Sequence, residues 1–258
     1  MRALRAAGCV YAEEEAALLQ AEASDADDLE LKLARRVVGE PLEQVVGWAE
    51  FCGLRIKVAP GVFVPRTRTE AVANFAITLA VATDHPPVVV DLCCGTGAIG
   101  VAVASAVPAI ELHAADIDPA AVACARLNVT TGAVHEGDLY DALPVDLRGR
   151  VDLLLVNAPY VPTDEVRLMP PEARLHEHHL ALDGGADGLD LHRRTAAAAP
   201  HWLAPGGSLV IETSPRQAAD TARYCAEAGL KVQVLGRDPV RVVRAISSGS
   251  GSSGRMTG

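Results

Sequence analysis

A repeated alternation constrains this chain more than any other feature: short apolar runs, each followed by a helix-forming stretch. Val88-Val-Val-Asp-Leu92 precedes a helical pattern over 98–106. The run at 110–115 precedes one over 119–129, the run at 151–156 one over 189–203, and the run at 208–212 one over 215–228. Strands that read as unbroken apolar runs are covered on both faces, which is how parallel strands joined through helices behave. A short strand is centred on Val134, and 230–235 with 240–245 reads as a closing antiparallel pair around a turn at Asp238-Pro239. The fold class is therefore α/β, a doubly wound, mostly parallel sheet. Aromatics make up only 3% of the chain against 50% hydrophobic residues, so the core is one of Ala, Val and Leu.

The flanks have a different character. Residues 1–46 read as a small helical domain, with a helix around 13–20, a break and cap at Ser24-Asp25, and a helix over 28–38 stopped by Gly39 and Pro41. So short a piece has to lean on the larger domain for its stability. Residues 47–66 read as a β-hairpin linker in which Phe51, Leu54, Ile56, Val58, Val62 and Val64 alternate around a turn at Pro60-Gly61. Thr67 or Thr69 is placed to cap a helix running to residue 82. The α/β domain spans 67–246, and the Ser/Gly-rich residues 247–258 form a flexible tail by composition.

The net charge of -10 argues against nucleic acid as a direct substrate, because such binding draws on Lys and Arg at phosphates. Six cysteines form no C-x-x-C pair, which fits reduced thiols better than zinc or a disulfide framework. No apolar run is long enough for a signal peptide or membrane span, so a soluble, cytoplasmic protein with no membrane partner is expected.

The turn Asp91-Leu-Cys-Cys-Gly-Thr-Gly97 joins the first strand to the first helix, where the glycines let backbone N–H groups approach a ligand. Strand-end crevices of open α/β sheets are where cofactors bind. Asp91 suits a ligand with an ammonium group and repels a pyrophosphate. S-adenosylmethionine carries both an ammonium and a sulfonium, and no Walker lysine follows. Asp116, with Ile117 after it, ends the next strand, where a carboxylate can accept both hydroxyls of a ribose. Asp138 ends the third strand and is placed to accept from an adenine amino group, with Leu139 against the ring. Each aspartate alone is as readily a helix cap; three at successive strand ends are less readily so.

Asn157-Ala158-Pro159-Tyr160 follows the fourth strand. An amide or aromatic amine nitrogen is a poor nucleophile because its lone pair is delocalised. Two acceptors can hold its N–H donors and aim the lone pair at a methyl carbon. The Asn157 side-chain oxygen and the Ala158 carbonyl supply two, and Tyr160 supplies a flat face. Taken alone, the stretch also reads as a proline-stiffened turn.

Four segments resemble the release-factor glutamine methyltransferase (HemK-like) family: Asn157-Ala-Pro-Tyr160 its N-P-P-Y signature, Val64-Pro-Arg-Thr-Arg-Thr-Glu70 its P-R-P-E-T-E segment, Glu177-His-His-Leu-Ala-Leu-Asp-Gly-Gly-Ala-Asp-Gly-Leu189 its E-P-x-x-A-L-x-G-G-x-D-G-L segment, and Gly39-Glu-Pro-Leu-Glu-Gln-Val-Val-Gly47 its interdomain link. The resemblance implies a seven-stranded, Rossmann-like class I methyltransferase fold with an N-terminal helical substrate-recognition domain. It implies transfer of methyl from S-adenosyl-L-methionine to the N5 nitrogen of a glutamine in a protein substrate, a release factor or another. It carries cofactor contacts onto Cys93, Cys94, Gly95, Thr96, Gly97, Asp116, Leu139 and Asn157, and amide contacts onto Asn157 to Tyr160. Ala158, Cys93 and His178 depart from the family's proline, glycine and proline. The same turn would suit an adenine or guanine amino group, and a non-catalytic cofactor-binding module is the remaining rival.

Other candidates divide less sharply. His176-Glu-His-His179 reads as a solvated loop and not a metal site, because adjacent histidines do not face one ion. Asp183-Gly-Gly-Ala-Asp-Gly-Leu-Asp190 misses a calcium-loop spacing and reads as a turn and helix cap. Arg66 and Arg68 either hold the methionine carboxylate or substrate, or are solvated, and Glu177 joins Arg66 as a candidate substrate contact. Glu70 fits a helix first turn as well as a site.

Overall fold

The computed structural model describes residues 1–236 and 238–248. From residue 249 onward, the tail expected over 247–258 lies outside the described residues. Four helices open the chain: α1 (Arg2–Ala6), α2 (Ala12–Glu22), α3 (Ala26–Val37) and α4 (Leu42–Val46). Asp25 caps α3 by accepting the Asp28 N–H, and acids at its start with Arg35 and Arg36 at its end match the helix dipole. Leu4, Ala12, Leu19 and Val45 form a small core of their own. The rest of the hold is polar. Buried Arg36 pairs with Glu15 at 2.7 Å and reaches Glu172 at 2.6 Å, while Gln44 Nε2 donates to the carbonyls of Val62 and His176.

Strands β1 (Trp48–Phe51) and β2 (Leu54–Lys57) form an antiparallel hairpin. Its turn is Cys52-Gly53, with φ of 51° and 72°, and not Pro60-Gly61 as expected. Two consecutive left-handed residues give the twist a two-residue hairpin needs, and glycine at the second adopts that conformation without steric strain. Pro60-Gly61 also turns the chain, but delivers Gly61 to a bridge with Glu177, its carbonyl accepting the His178 N–H at 2.8 Å. The alternation at Val62 and Val64 reports burial of an extended segment outside the hairpin.

Next come α5 (Glu70–Val81), β3 (Val88–Leu92), α6 (Ala98–Ala106), β4 (Glu111–Asp116), α7 (Pro119–Asn128), β5 (Ala133–Glu136), β6 (Val151–Val156) and α8 (Pro171–His176). The chain closes with α9 (Asp190–Ala198), β7 (Leu203–Thr213), α10 (Ala218–Glu227), β8 (Lys231–Leu235) and β9 (Arg241–Ile246). Neither Thr67 nor Thr69 caps α5; a 3-10 turn over Thr67–Thr69 leads into it without a side-chain cap bond. Glu70 instead accepts the Cys52 N–H at 2.9 Å, tying the hairpin turn to the helix.

The seven strands run in the order β5-β4-β3-β6-β7-β9-β8. Strands β3 to β7 pair in parallel, and β9 is antiparallel to both β7 and β8. Alternate residues feed two cores: Val90, Leu154 and Leu209 pack on one face, Val89, Leu155 and Val210 on the other. Helices therefore cover both sides, as the unbroken apolar runs require. Among the described residues no helix is long and apolar enough to cross a membrane.

Candidate functional site

Strand order reverses at β3, whose neighbours are β4 on one side and β6 on the other. A crevice opens where the chain departs in both directions from such a strand. A cavity of about 390 Å³ lies there, walled by the turns that follow β3, β4, β5 and β6. Cys93, Cys94, Gly95, Thr96, Asp116, Ile117, Asp138, Leu139 and all of Asn157 to Tyr160 line it.

The turn after β3 is bent sharply, with left-handed φ at Cys93 (54°), Gly95 (55°) and Gly97 (76°). Asp116 is clamped beside it: Oδ2 accepts the Gly95 N–H at 2.8 Å and Oδ1 the Asp118 N–H at 2.9 Å. Burial raises its carboxyl above the usual range. Each oxygen keeps a lone pair, so the group suits two ribose hydroxyls. Leu139 is buried with φ of 49°, forming an apolar wall for a flat base. Asp138 is paired through Oδ2 with Arg194 at 2.7 Å, so the cavity wall gains an arginine that no sequence motif marks. These residues fit S-adenosylmethionine: a carboxylate for the ribose, an apolar shelf for the adenine, and a tight turn at the methionine end.

Four expected residues do not line this wall: Asp91, Gly97, Arg66 and Glu177. Asp91 is buried beneath the turn, where Oδ2 accepts the Gly100 N–H at 2.9 Å and burial pushes its carboxyl up to about 7. It braces the glycine turn from inside. Arg66 and Glu177 form a strut with N···O distances of 2.6 and 2.8 Å, and Glu177 also accepts the Val64 N–H. The side chain of Glu177 is wholly buried, so this pair ties the segment after β2 to the segment after α8. Arg68 does line the cavity and donates to the Tyr160 hydroxyl at 3.2 Å.

The turn after β6 is gripped from outside. Gln217 Nε2 donates to the Tyr160 carbonyl at 2.9 Å, and Val161 exchanges backbone bonds with Leu182 and Gly184. A Cβ on Gly184 would stand 2.6 Å from the Pro159 carbonyl oxygen, and one on Gly188 2.3 Å from that of Tyr160. The Asp183 to Asp190 stretch, expected to be a turn and helix cap, is therefore a brace that only glycine permits. It does not cap α9, which has no side-chain cap bond. Ala158 is buried in the core, so the position that lacks proline is held by packing and by this brace.

His178 bonds Asp118 Oδ2 through Nδ1 at 2.5 Å. Among the described residues no group of three His, Cys, Asp or Glu is placed to hold a metal ion. Glu212, at the end of β7, is buried beside Tyr160 and carries no motif. The strand-end argument that singled out Asp91, Asp116 and Asp138 applies to it equally.

Comparison with known proteins agrees with this fold. The methyltransferase small domain family model matches residues 53–224. A solved methyltransferase from Pyrococcus furiosus shares the fold, with a TM-score of 0.55 and 14% identity over 85% of this chain and 99% of that one. A release factor glutamine methyltransferase of Streptomyces coelicolor is 44% identical over 72% of this chain and 66% of its own length. One from Geobacter sulfurreducens is 36% identical over 83% of this chain and 75% of its own. A 4-amino-L-phenylalanine/4-methylamino-L-phenylalanine methyltransferase of Streptomyces pristinaespiralis is 41% identical over 72% of this chain and 65% of its own. The chain thus spans about two thirds to three quarters of the length of these relatives. By the matched family model and by these identities, the chain belongs to the methyltransferase small domain family and, within it, to the release factor glutamine methyltransferases.

Proposed function

We propose that this protein transfers a methyl group from S-adenosyl-L-methionine to the side-chain amide nitrogen of a glutamine in a protein, with a peptide chain release factor as substrate. One observation carries the reading. The Asn157 to Tyr160 turn shares a single cavity with the β3 turn, Asp116 and Leu139, so an amide held by the first lies beside a donor held by the others.

When bound, the donor supplies an electrophilic methyl carbon on a sulfonium. Everything else falls to the protein. Asp116 orients the ribose, Leu139 supports the base, and the β3 turn receives the methionine end. The Asn157 side-chain oxygen and the Ala158 carbonyl accept the two amide N–H groups, which turns the nitrogen lone pair toward the methyl carbon. Tyr160 lies against the amide plane. Holding reacting groups in line and polarising the amide supply the rate; no strong base is required. The methylated nitrogen is acidic and releases one proton to water.

A release factor places the reaction in the cytoplasm. Residues 1–46 and the hairpin linker over 47–66 are proposed to present the substrate to the domain at 67–246. The Streptomyces pristinaespiralis relative favours a second reading, in which the acceptor is an aromatic amine, whose planar N–H₂ group presents the same two donors.

The test supplies labelled donor together with unmethylated bacterial release factor or with 4-amino-L-phenylalanine. Label on a glutamine of the release factor is the expected result. Label on the amino acid alone transfers the assignment to the second reading. Asn157→Ala is expected to lower transfer by roughly 10²-fold or more while donor binding weakens far less. Wild-type turnover in that variant removes Asn157 from the mechanism.

A further inference from the structure

We propose that Glu212 is a positioning residue for methyl transfer, acting with Arg68 through the Tyr160 hydroxyl to fix the plane of the Tyr160 ring. The inference rests on the reading that the Asn157 to Tyr160 turn holds the acceptor amide.

Strand β7 runs beside β6, with Ile211 paired to Val156, so the residue after Ile211 emerges next to the turn that follows β6. Glu212 is that residue. Its side chain is 1% exposed, and Oε1 lies 3.4 Å from Tyr160 Oη and 3.8 Å from Arg68 Nε. Arg68 Nη2 lies 3.2 Å from the same Oη. Among the described residues Oε2 has no hydrogen-bond partner. A buried carboxylate is costly unless paired; burial raises this one above the usual range, and the Thr69 hydroxyl, the cavity-lining Arg68 and the Tyr160 phenol are the groups that lower it again.

Arg68, Tyr160 and Glu212 form a chain with a direction. Arg68 can only donate, so the Tyr160 oxygen accepts from it and donates its own O–H to Glu212 Oε1. A phenol O–H lies in the plane of its ring, as does the favoured acceptor direction. Partners on both sides of Oη therefore set the rotation of the ring, and Gln217 holds the backbone of the same residue at its carbonyl. The His192 ring is tilted against that of Tyr160, with the centroids 6.5 Å apart. A flat face becomes a useful surface for a planar amide only when its rotation is fixed, which gives the buried acid a role the strand alone does not require. Burial raises the Tyr160 phenol first, Glu212 raises it further, and Arg68 lowers it.

Glu212→Gln, Arg68→Ala and Tyr160→Phe in the full chain separate this role from a merely structural one. The first readout needs no substrate. With tyrosine labelled at Cζ, the Tyr160 titration is expected to move down in Glu212→Gln and up in Arg68→Ala, each by roughly half a pKa unit or more. Glu212→Gln is close to isosteric, and Arg68 is 44% exposed, so the second variant carries the test should the first not fold. The second readout is transfer to unmethylated bacterial release factor. Glu212→Gln and Tyr160→Phe are each expected to lower kcat about tenfold with the KM for the donor unchanged, and the double variant to lose no more than either alone. An unmoved Tyr160 titration, or losses that multiply in the double variant, overturns the proposal. A wild-type protein that leaves the release factor unmethylated sinks the functional reading instead, while the titration still decides whether Glu212 and Arg68 hold the Tyr160 hydroxyl.

Discussion

Gly188 lies against Tyr160 so closely that a single methyl group at its α-carbon would sit 2.3 Å from the tyrosine carbonyl oxygen. Its φ of 75° adds a conformation that other residues adopt at a cost. Gly188→Ala is therefore expected to destabilise the fold by more than about 2 kcal/mol and to displace the turn that carries Tyr160. Thermal melts and transfer assays check this together. Unchanged melting and unchanged turnover would show that the 183–189 segment does not brace the turn.

Cys93 presents the opposite case. It stands at φ 54° in the β3 turn, where a Cβ is a steric burden and glycine carries none. Cys93→Gly is expected to stabilise the protein by about 0.5–1 kcal/mol, the relief of backbone strain outweighing the lost packing of a partly buried thiol. Denaturant midpoints at constant slope measure it, and a lower midpoint would mean the sulfur's contacts outweigh the strain.

Arg36 offers an unequal pair of partners. The Glu15 side chain is 10% exposed and that of Glu172 50% exposed. Removing Glu15 leaves a buried guanidinium with half its ligands, so Glu15→Ala is expected to cost about 2–4 kcal/mol and Glu172→Ala no more than about 1 kcal/mol. Equal losses in chemical denaturation would contradict the burial difference.

Acid stability carries the signature of His192. Buried against Thr221 and near Arg193, its imidazole is held down to about 4. The unfolded chain takes up that proton near pH 6.5, roughly the free value. Between these limits the unfolded state binds more protons, so stability is full above the upper one and falls as the pH drops toward the lower, by on the order of 3 kcal/mol. Melting temperature followed from pH 7 downward in wild type and His192→Leu isolates this contribution from the buried carboxylates, whose slopes oppose it. Parallel curves for the two proteins would reject it.

The parallel sheet was legible because burial on both faces writes itself into apolar runs such as Leu153 to Val156. The cavity wall was legible because chemistry and strand-end position coincide at Asp116, Leu139 and Asn157. What escaped was anything decided by two distant segments meeting. Hydrophobic alternation could not place the hairpin turn at Cys52-Gly53, since Val62 and Val64 are buried by other contacts. Asp91 faces its own turn, which depends on one strand's pleat. The Arg66–Glu177 pair joins residues 111 positions apart, and no local pattern announces it.

That pair has company. Gln44 grips the carbonyl at His176, Arg36 reaches Glu172, and Gly61 bridges to Glu177, all on the stretch that leads into the glycine brace. The N-terminal region and the stretch that follows β6 are thus one interlocked piece drawn from two remote lengths of chain. Grafting another relative's N-terminal helices onto this sheet would bring foreign residues to a foreign seat. A working chimera has to exchange residues 1–66 and 162–189 in a single move.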